Sequence, residues 1–328
     1  MKIKSKKTFN WGIIGTGGIA NAFSKDLDLL DNHIVSAVLS RTMRNAQNFS
    51  NNLVNCNAYD NIDSFLEDED ISAVYIATPN TLHYIQTIKS LQAKVPVLCE
   101  KPFAMNFKEA CKMIEQSKKN STALLDGMWM RYLPHITKIR ELLSKNAIGK
   151  IESIFACHGQ NLRWSDNPRL WTKELGGGAL LDLGIYVVSF CHMVAGSPDE
   201  IIASSIFTKQ GVDSKTSMIF KYNNGLIANL SCSMYDSQPN RAIISGSDGY
   251  IEIDHTFYAP TTIRLYKNDQ EMVEYKNDYD GHGLRQQAIY MEKCVSDKKL
   301  ESNKMTHKDT LEVIKIMDEV MRKTGLKF

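Results

Sequence analysis

The stretch Trp11-Gly12-Ile13-Ile14-Gly15-Thr16-Gly17-Gly18-Ile19-Ala20, residues 11–20, decides the fold. A run of strand character, Trp11–Ile14, feeds straight into glycines and then into a helical pattern over Gly18–Leu30. Gly15–Ala20 reads G-x-G-x-x-A, and each small residue has a physical task. Gly15 permits a tight turn, Gly17 lets the backbone approach a pyrophosphate, and Ala20 allows close packing of helix on strand. The helix N-terminus attracts the phosphate charge. A strand before and a helix after make this short pattern a dinucleotide-binding signature, with Gly15, Thr16, Gly17, Gly18 and Ile19 as cofactor contacts.

The same alternation continues outward. Ile34–Leu39, Ala73–Ile76, Val97–Cys99 and Thr122–Leu125 read as strands. Thr42–Asn51, Ile62–Leu66, Thr81–Gln92 and Phe107–Lys119 read as the helices between them. This predicts a parallel, Rossmann-type sheet over residues 1–126. Near residue 127 the pattern changes. Helices are expected over His135–Ser144 and Ala179–Met193, and a strand over Ile151–His158. Then strands follow one another: Ile201–Phe207, Ser217–Tyr222, Leu226–Ser231, Arg241–Ser245, Tyr250–Ile253, Thr262–Leu265 and Met272–Tyr275. Asn223-Asn224-Gly225 and Ser247-Asp248-Gly249 are hairpin-type turns. Helices near Leu284–Val295 and His307–Thr324 close the chain. Residues 127–328 are thus expected to form an α+β domain on a large, mostly antiparallel sheet. The whole chain is of the α/β class. A sheet of that breadth needs its second face covered, which predicts a homodimer through it.

Composition narrows the partners. With 39 basic and 37 acidic residues the net charge is +2, which offers no argument for nucleic acid or an anionic membrane. Lys2, Lys4, Lys6 and Lys7 are a local basic excess, but they lead into a strand and not into a signal-peptide core. No unbroken apolar run reaches about 18 residues, so no membrane span is expected. Seven scattered cysteines without a CxxC fit reduced thiols in a cytoplasmic protein. The eight histidines form no HxxxH or HExxH pair, and no metal site is expected.

Cofactor choice belongs to the end of the second strand. There the chain reads Leu39-Ser40-Arg41-Thr42, with no carboxylate for a ribose 2′-hydroxyl. Arg41 offers a planar fork for a 2′-phosphate and Ser40 a hydroxyl, so NADP is expected, with NAD as the alternative. Two more strand ends lie on the same edge: Ala77-Thr78-Pro79-Asn80 with His83, and Glu100-Lys101-Pro102. All are expected at the cofactor.

These segments together resemble the Gfo/Idh/MocA oxidoreductases, a family named for glucose–fructose oxidoreductase and inositol dehydrogenase. The resemblance rests on Gly15–Ala20, Ala77–His83, Glu100-Lys101-Pro102, Ile148–Ile151, Asn167–Trp171 and Gly176–Tyr186. The last stretch is similar to the branch holding dimeric dihydrodiol dehydrogenases and NADP-dependent sugar dehydrogenases. The resemblance implies a sugar, polyol or dihydrodiol substrate and three functional residues. Lys101 is the lysine beside the nicotinamide, Tyr186 the general acid/base, and Asp182 a substrate-binding or supporting aspartate. A tyrosine stands here where the inositol dehydrogenase branch has a histidine, which argues against inositol.

Physical chemistry agrees with these roles. Asp182 and Tyr186 are i and i+4, hence on one helix face. Charge builds on the carbonyl oxygen during hydride transfer, and an ammonium stabilises it while an acid delivers the proton. The plain alternatives are packing for Tyr186 and pairing within the core for Asp182. Trp129 and Arg131 follow the last strand of the first domain and are expected near cofactor or substrate. Arg163 and Trp164 are expected on the substrate side. Two other functions remain open: an NAD-dependent glycosidase working through transient oxidation, and a dinucleotide-binding sensor without turnover.

Overall fold

A computed structural model describes residues 8–163 and 165–328. The chain divides into two compact units. The first contains β1 (Phe9–Ile14), α1 (Gly18–Leu27), β2 (His33–Leu39), α2 (Met43–Ser50), β3 (Asn57–Tyr59), α3 (Ile62–Leu66), β4 (Ala73–Ile76), α4 (His83–Gln92), β5 (Val97–Glu100), α5 (Phe107–Asn120) and β6 (Leu124–Gly127). Its six strands are all parallel, in the order β3-β2-β1-β4-β5-β6. Strand order reverses between β1 and β4, the point beyond whose carboxyl ends open parallel sheets bind their ligands. β4 and β5 are buried along their whole length, as strands covered on both faces must be. β3 went unread in the sequence because three residues with a polar start carry no period. α5 starts where Asn106 accepts from the Glu109 amide, the local signal for a helix start.

The second unit contains α6 (Pro134–Ser144), β7 (Ile151–Gly159), α7 (Pro168–Trp171), a π-helical turn (Leu180–Gly184) that runs into α8 (Ile185–Ala195), β8 (Glu200–Phe207), β9 (Asp213–Lys221), β10 (Ile227–Ser233), β11 (Ala242–Gly246), β12 (Gly249–Ile253), β13 (Ile263–Lys267) and β14 (Val273–Tyr275). Its strands form one eight-stranded sheet, β14-β13-β12-β11-β7-β10-β9-β8. The sheet is antiparallel except at the β7–β10 pair. α8 packs on one face, against β7 and β10. The other face carries the exposed apolar side chains Phe155, Ile202, Ile206 and Ile219. Phe155, Ile202 and Ile219 line a cavity there of about 410 Å³.

The division departs from the expected boundary at residues 126 and 127. It falls between Trp129 and Met130, and Gly281–His307, including α9 (Arg285–Ser296), returns to the first unit. The reason is a set of long-range bonds that no local pattern reveals. Asp26 accepts from the backbone of His282 and Arg285 and pairs with the Arg285 side chain. Glu292 bonds Asn32 and His33. The Leu124 amide donates to Leu300, and His307 bonds the Leu124 carbonyl. α10 (His307–Thr324) then lies almost wholly in the second unit. Among the described residues one helical stretch, Lys173–Ala195, is long and apolar enough to cross a membrane by composition, although Asp182 interrupts its apolar run. Most of it is buried, as a core helix of its unit.

Candidate active site

In the first unit, the cofactor edge is built by the ends of β1, β2, β4 and β5. Gly15 has φ +105°, a left-handed value that only glycine adopts without strain. A Cβ there would lie 2.7 Å from the Ala77 carbonyl oxygen, so the turn presses directly on the end of β4. At Gly17 and Gly18 an added Cβ would meet nothing within 4 Å. The chain's own packing does not demand glycine at these two positions, whereas a phosphate approaching the α1 N-terminus does. Thr16 and Ser40 hydroxyls lie 3.3 Å apart across the turn. Arg41 and Arg44 are exposed, and among the described residues neither forms an ion pair. These features fit a dinucleotide.

The β4 and β5 ends are tied together. His83 is fully buried, with Nδ1 2.8 Å from the Pro102 carbonyl and Nε2 3.0 Å from the Thr78 carbonyl. It was expected to contact the cofactor, and the structure places it beneath, clamping the two loops that face outward. The Thr78 hydroxyl donates to Gln86 at 2.6 Å, and Asn80 is buried in the short turn that follows Pro79. Glu100 is buried also. It accepts from the Tyr75 hydroxyl and, at 3.1 Å, from the Lys101 backbone amide. Lys101 itself is half-buried at the strand end, and Trp129 is buried in the same unit.

In the second unit, Asp182 and Tyr186 are both buried, on the π turn and on the first turn of α8. The π turn is a local widening of the helix that sequence periodicity does not predict, and such turns recur at functional sites. The Arg169 guanidinium donates to Asp182 at 3.0 Å. Tyr186 sits in an aromatic group: its ring centroid is 5.3 Å from His158 and 4.7 Å from Tyr258, and His158 lies 4.0 Å from Tyr258. His158 donates from Nδ1 to the Leu183 carbonyl at 3.2 Å and accepts the Gln160 amide on Nε2 at 3.0 Å, which fixes a neutral tautomer. The Gln160 amide also donates to the Tyr258 hydroxyl at 3.0 Å. Burial, and then the charge of Asp182, push the Tyr258 phenol up, while Gln160 pulls it down. Gln160, Arg169 and Tyr258 were not anticipated. His158 and Gln160 alternate at i and i+2 and so share a strand face, a signal that was available. Tyr258 lies in a loop, and nothing local marks it.

Arg131 was expected at the cofactor or substrate. It is only 2% exposed, and its guanidinium donates to the Ser189 hydroxyl and carbonyl at 2.9 and 2.8 Å. It also lies 3.2 Å from His192 Nδ1, so it is turned into α8. Arg163 is exposed and lies 4.9 Å over the Tyr235 ring, with Trp171 on the same ring at 5.9 Å. Trp164 lies outside the described residues. No group of three or more His, Cys, Asp or Glu residues that could hold a metal occurs among the described residues.

Comparison with known proteins is consistent with both units. Residues 9–127 match the family model of oxidoreductases with an NAD-binding Rossmann fold, and residues 136–252 match the Gfo/Idh/MocA C-terminal domain. A trans-1,2-dihydrobenzene-1,2-diol dehydrogenase from Danio rerio is 33% identical, covering 97% of each chain. The NADP-dependent D-xylose 1-dehydrogenase of Hypocrea jecorina is 29% identical over 98% of this chain and 93% of its own. An aldose–aldose oxidoreductase from Caulobacter crescentus shares the fold at TM-score 0.88 and 20% identity, over 97% of this chain and 98% of its own. A 3-ketoreductase from Actinomadura kijaniata, crystallised with NADP and TDP-benzene, shares it at 0.86 and 21%, with the same coverage.

Proposed function

We propose that this chain, which belongs to the Gfo/Idh/MocA family of oxidoreductases, interconverts an alcohol and a carbonyl on a sugar, polyol or dihydrodiol, with NADP preferred to NAD. The substrate class follows the dihydrodiol and xylose dehydrogenases that align along nearly the whole chain. The observation that carries the reading is the open space over Gly17 and Gly18 at the carboxyl edge of the parallel sheet. A dinucleotide held along this edge would supply or accept the hydride through its nicotinamide.

The chain's own residues do the rest. Gly15, Thr16, Gly17, Gly18 and Ile19 present amides and a hydroxyl to the pyrophosphate, and Ser40 and Arg41 take the 2′-phosphate. Ala77, Thr78, Pro79, Asn80 and Glu100 shape the rest of the edge. The Lys101 ammonium stabilises negative charge on the substrate oxygen. Tyr186 moves the proton. Asp182, held by Arg169, binds a substrate hydroxyl, with Trp129, Arg163 and Trp164 as further substrate contacts. The uncovered sheet face is closed by a second copy of the chain. The cysteines are all free, which fits a reducing, cytoplasmic setting.

The test is NADPH absorbance with aldoses, dicarbonyls and trans-diols, run on wild type, Lys101→Met and Tyr186→Phe. Removing an oxyanion stabiliser or a general acid is expected to lower kcat by roughly 10²–10⁴-fold. Full turnover in both variants overturns the assignment.

A further inference from the structure

Asp213, the first residue of β9, is fully buried and has no part in the mechanism above. Its Oδ2 accepts the Leu180 amide at 2.8 Å and the Thr216 hydroxyl at 2.7 Å. Its Oδ1 has no hydrogen-bond partner. That oxygen lies 2.4 Å from where a Cβ on Gly178 would sit, and Gly178 has φ +112°, so the contact is with bare backbone. The Asp182 amide in turn donates to the Gly178 carbonyl at 3.2 Å. One carboxyl therefore touches Gly178, just before the π turn, and Leu180, its first residue, four and two positions before Asp182. A buried carboxylate with an orphan oxygen is a costly way to start a helix, since a neutral capping side chain would do the same with less desolvation. Its retention calls for a use of the charge.

We propose that Asp213 is a positioning residue: as a carboxylate it grips the Leu180 amide and fixes the turn that presents Asp182 and Tyr186. The inference rests on the reading of that pair given above. A charge-assisted bond from the carboxylate is shorter and stronger than a neutral one, and it meets the positive end of the helix. Burial raises the carboxyl from 3.8 to about 6, against the pull of Thr216, the Leu180 amide and its own amide. The groups that face it are the Leu180 amide and Gly178 backbone from the helix, Thr216 from β9, and the Cys232 thiol from β10. Burial and Asp213 itself hold that thiol protonated. The grip is thus present at neutral pH and is released below about 6. Because the folded value lies above the unfolded one, the group's contribution to stability is full below 3.8 and is lost as pH rises through 6. Charge at this position costs stability at neutral pH, so a neutral isostere should not lower Tm there.

The experiment compares wild type, Asp213→Asn and Thr216→Val. At neutral pH, Asp213→Asn is expected to keep its Tm and its KM for NADP, to lose about tenfold or more in kcat, and to show faster hydrogen exchange at Leu180–Tyr186 without any substrate. Its kcat should be flat where wild type falls below about pH 6. Thr216→Val, which removes one donor to the same oxygen, should move the acid limb to higher pH. A folded Asp213→Asn with wild-type kcat and acid limb overturns the proposal. If that variant does not fold, an unmoved limb in Thr216→Val overturns it. If wild type turns over no substrate, the functional reading fails instead, and unchanged exchange in Asp213→Asn still overturns the anchor.

Discussion

Residues differ in how openly they declare their task. Gly15 did so fully: the motif demanded a left-handed turn, and φ is +105°. Asp182 and Tyr186 were singled out through their motif, but not their surroundings, because Tyr258, Gln160 and Arg169 come to them through loops and register. His83 was singled out for the cofactor from its motif, whereas its burial against two carbonyls was not legible, since these come from separate strand ends. Arg41 was singled out by what is missing beside it, a carboxylate at the end of β2. It is exposed and, among the described residues, without an ion pair, which is why we propose it for the 2′-phosphate. A hydrogen bond to a charged group contributes about 1.5–3 kcal/mol. Arg41→Ala should therefore raise KM for NADP by roughly 10–100-fold and leave KM for NAD within about twofold. Initial rates against both cofactors check this, and equal losses for the two would remove Arg41 from the discrimination.

At the scale of elements, periodicity predicted the strands and helices well but missed how α8 is held. The expected i and i+4 helix face around Asp182 proved to start in a π turn, which bonds His158 and Asp213 and brings Gly184 close to Cys232. Farther along α8, Arg131 donates to Ser189 and to His192 Nδ1, so His192 carries its proton on Nε2 and donates it to Glu312 at 2.8 Å. Burial and then Arg131 hold the His192 imidazole below its usual value, against the pull of Glu312. This line of bonds ties α8 to α10 inside the second unit. Removing one partner of a buried charged network costs about 3–5 kcal/mol. Arg131→Met is accordingly expected to lower Tm by several degrees while KM for NADP stays within about twofold. A thermal melt and a cofactor titration separate the two readings: a large rise in KM at unchanged Tm would return Arg131 to the cofactor edge.

For the molecule as a whole, the sequence made the two architectures legible but not their boundary. The run of strands with Asn-Gly and Asp-Gly turns announced a broad antiparallel sheet, whereas the return of residues 281–307 depends on Asp26, Glu292 and His307, whose partners lie far away in sequence. The sheet's bare face follows from simple alternation. In β7, Ile154 and Ala156 are buried while Phe155 between them is 44% exposed. Ile202 at 46% and Ile206 at 62% continue the apolar surface along β8. Eight strands spaced about 4.8 Å apart and some 20 Å long present a face on the order of 700 Å², close to the roughly 800 Å² that each partner buries in a stable interface. Covering it with a second copy removes these side chains from water at about 25 cal/mol per Å². A lysine at the centre of that contact would have to bury its charge, so Phe155→Lys with Ile202→Lys should yield monomers that still bind NADP. Light scattering at micromolar concentration decides the matter: wild type at twice the chain mass and the double variant at once supports the interface, and a wild-type monomer refutes it.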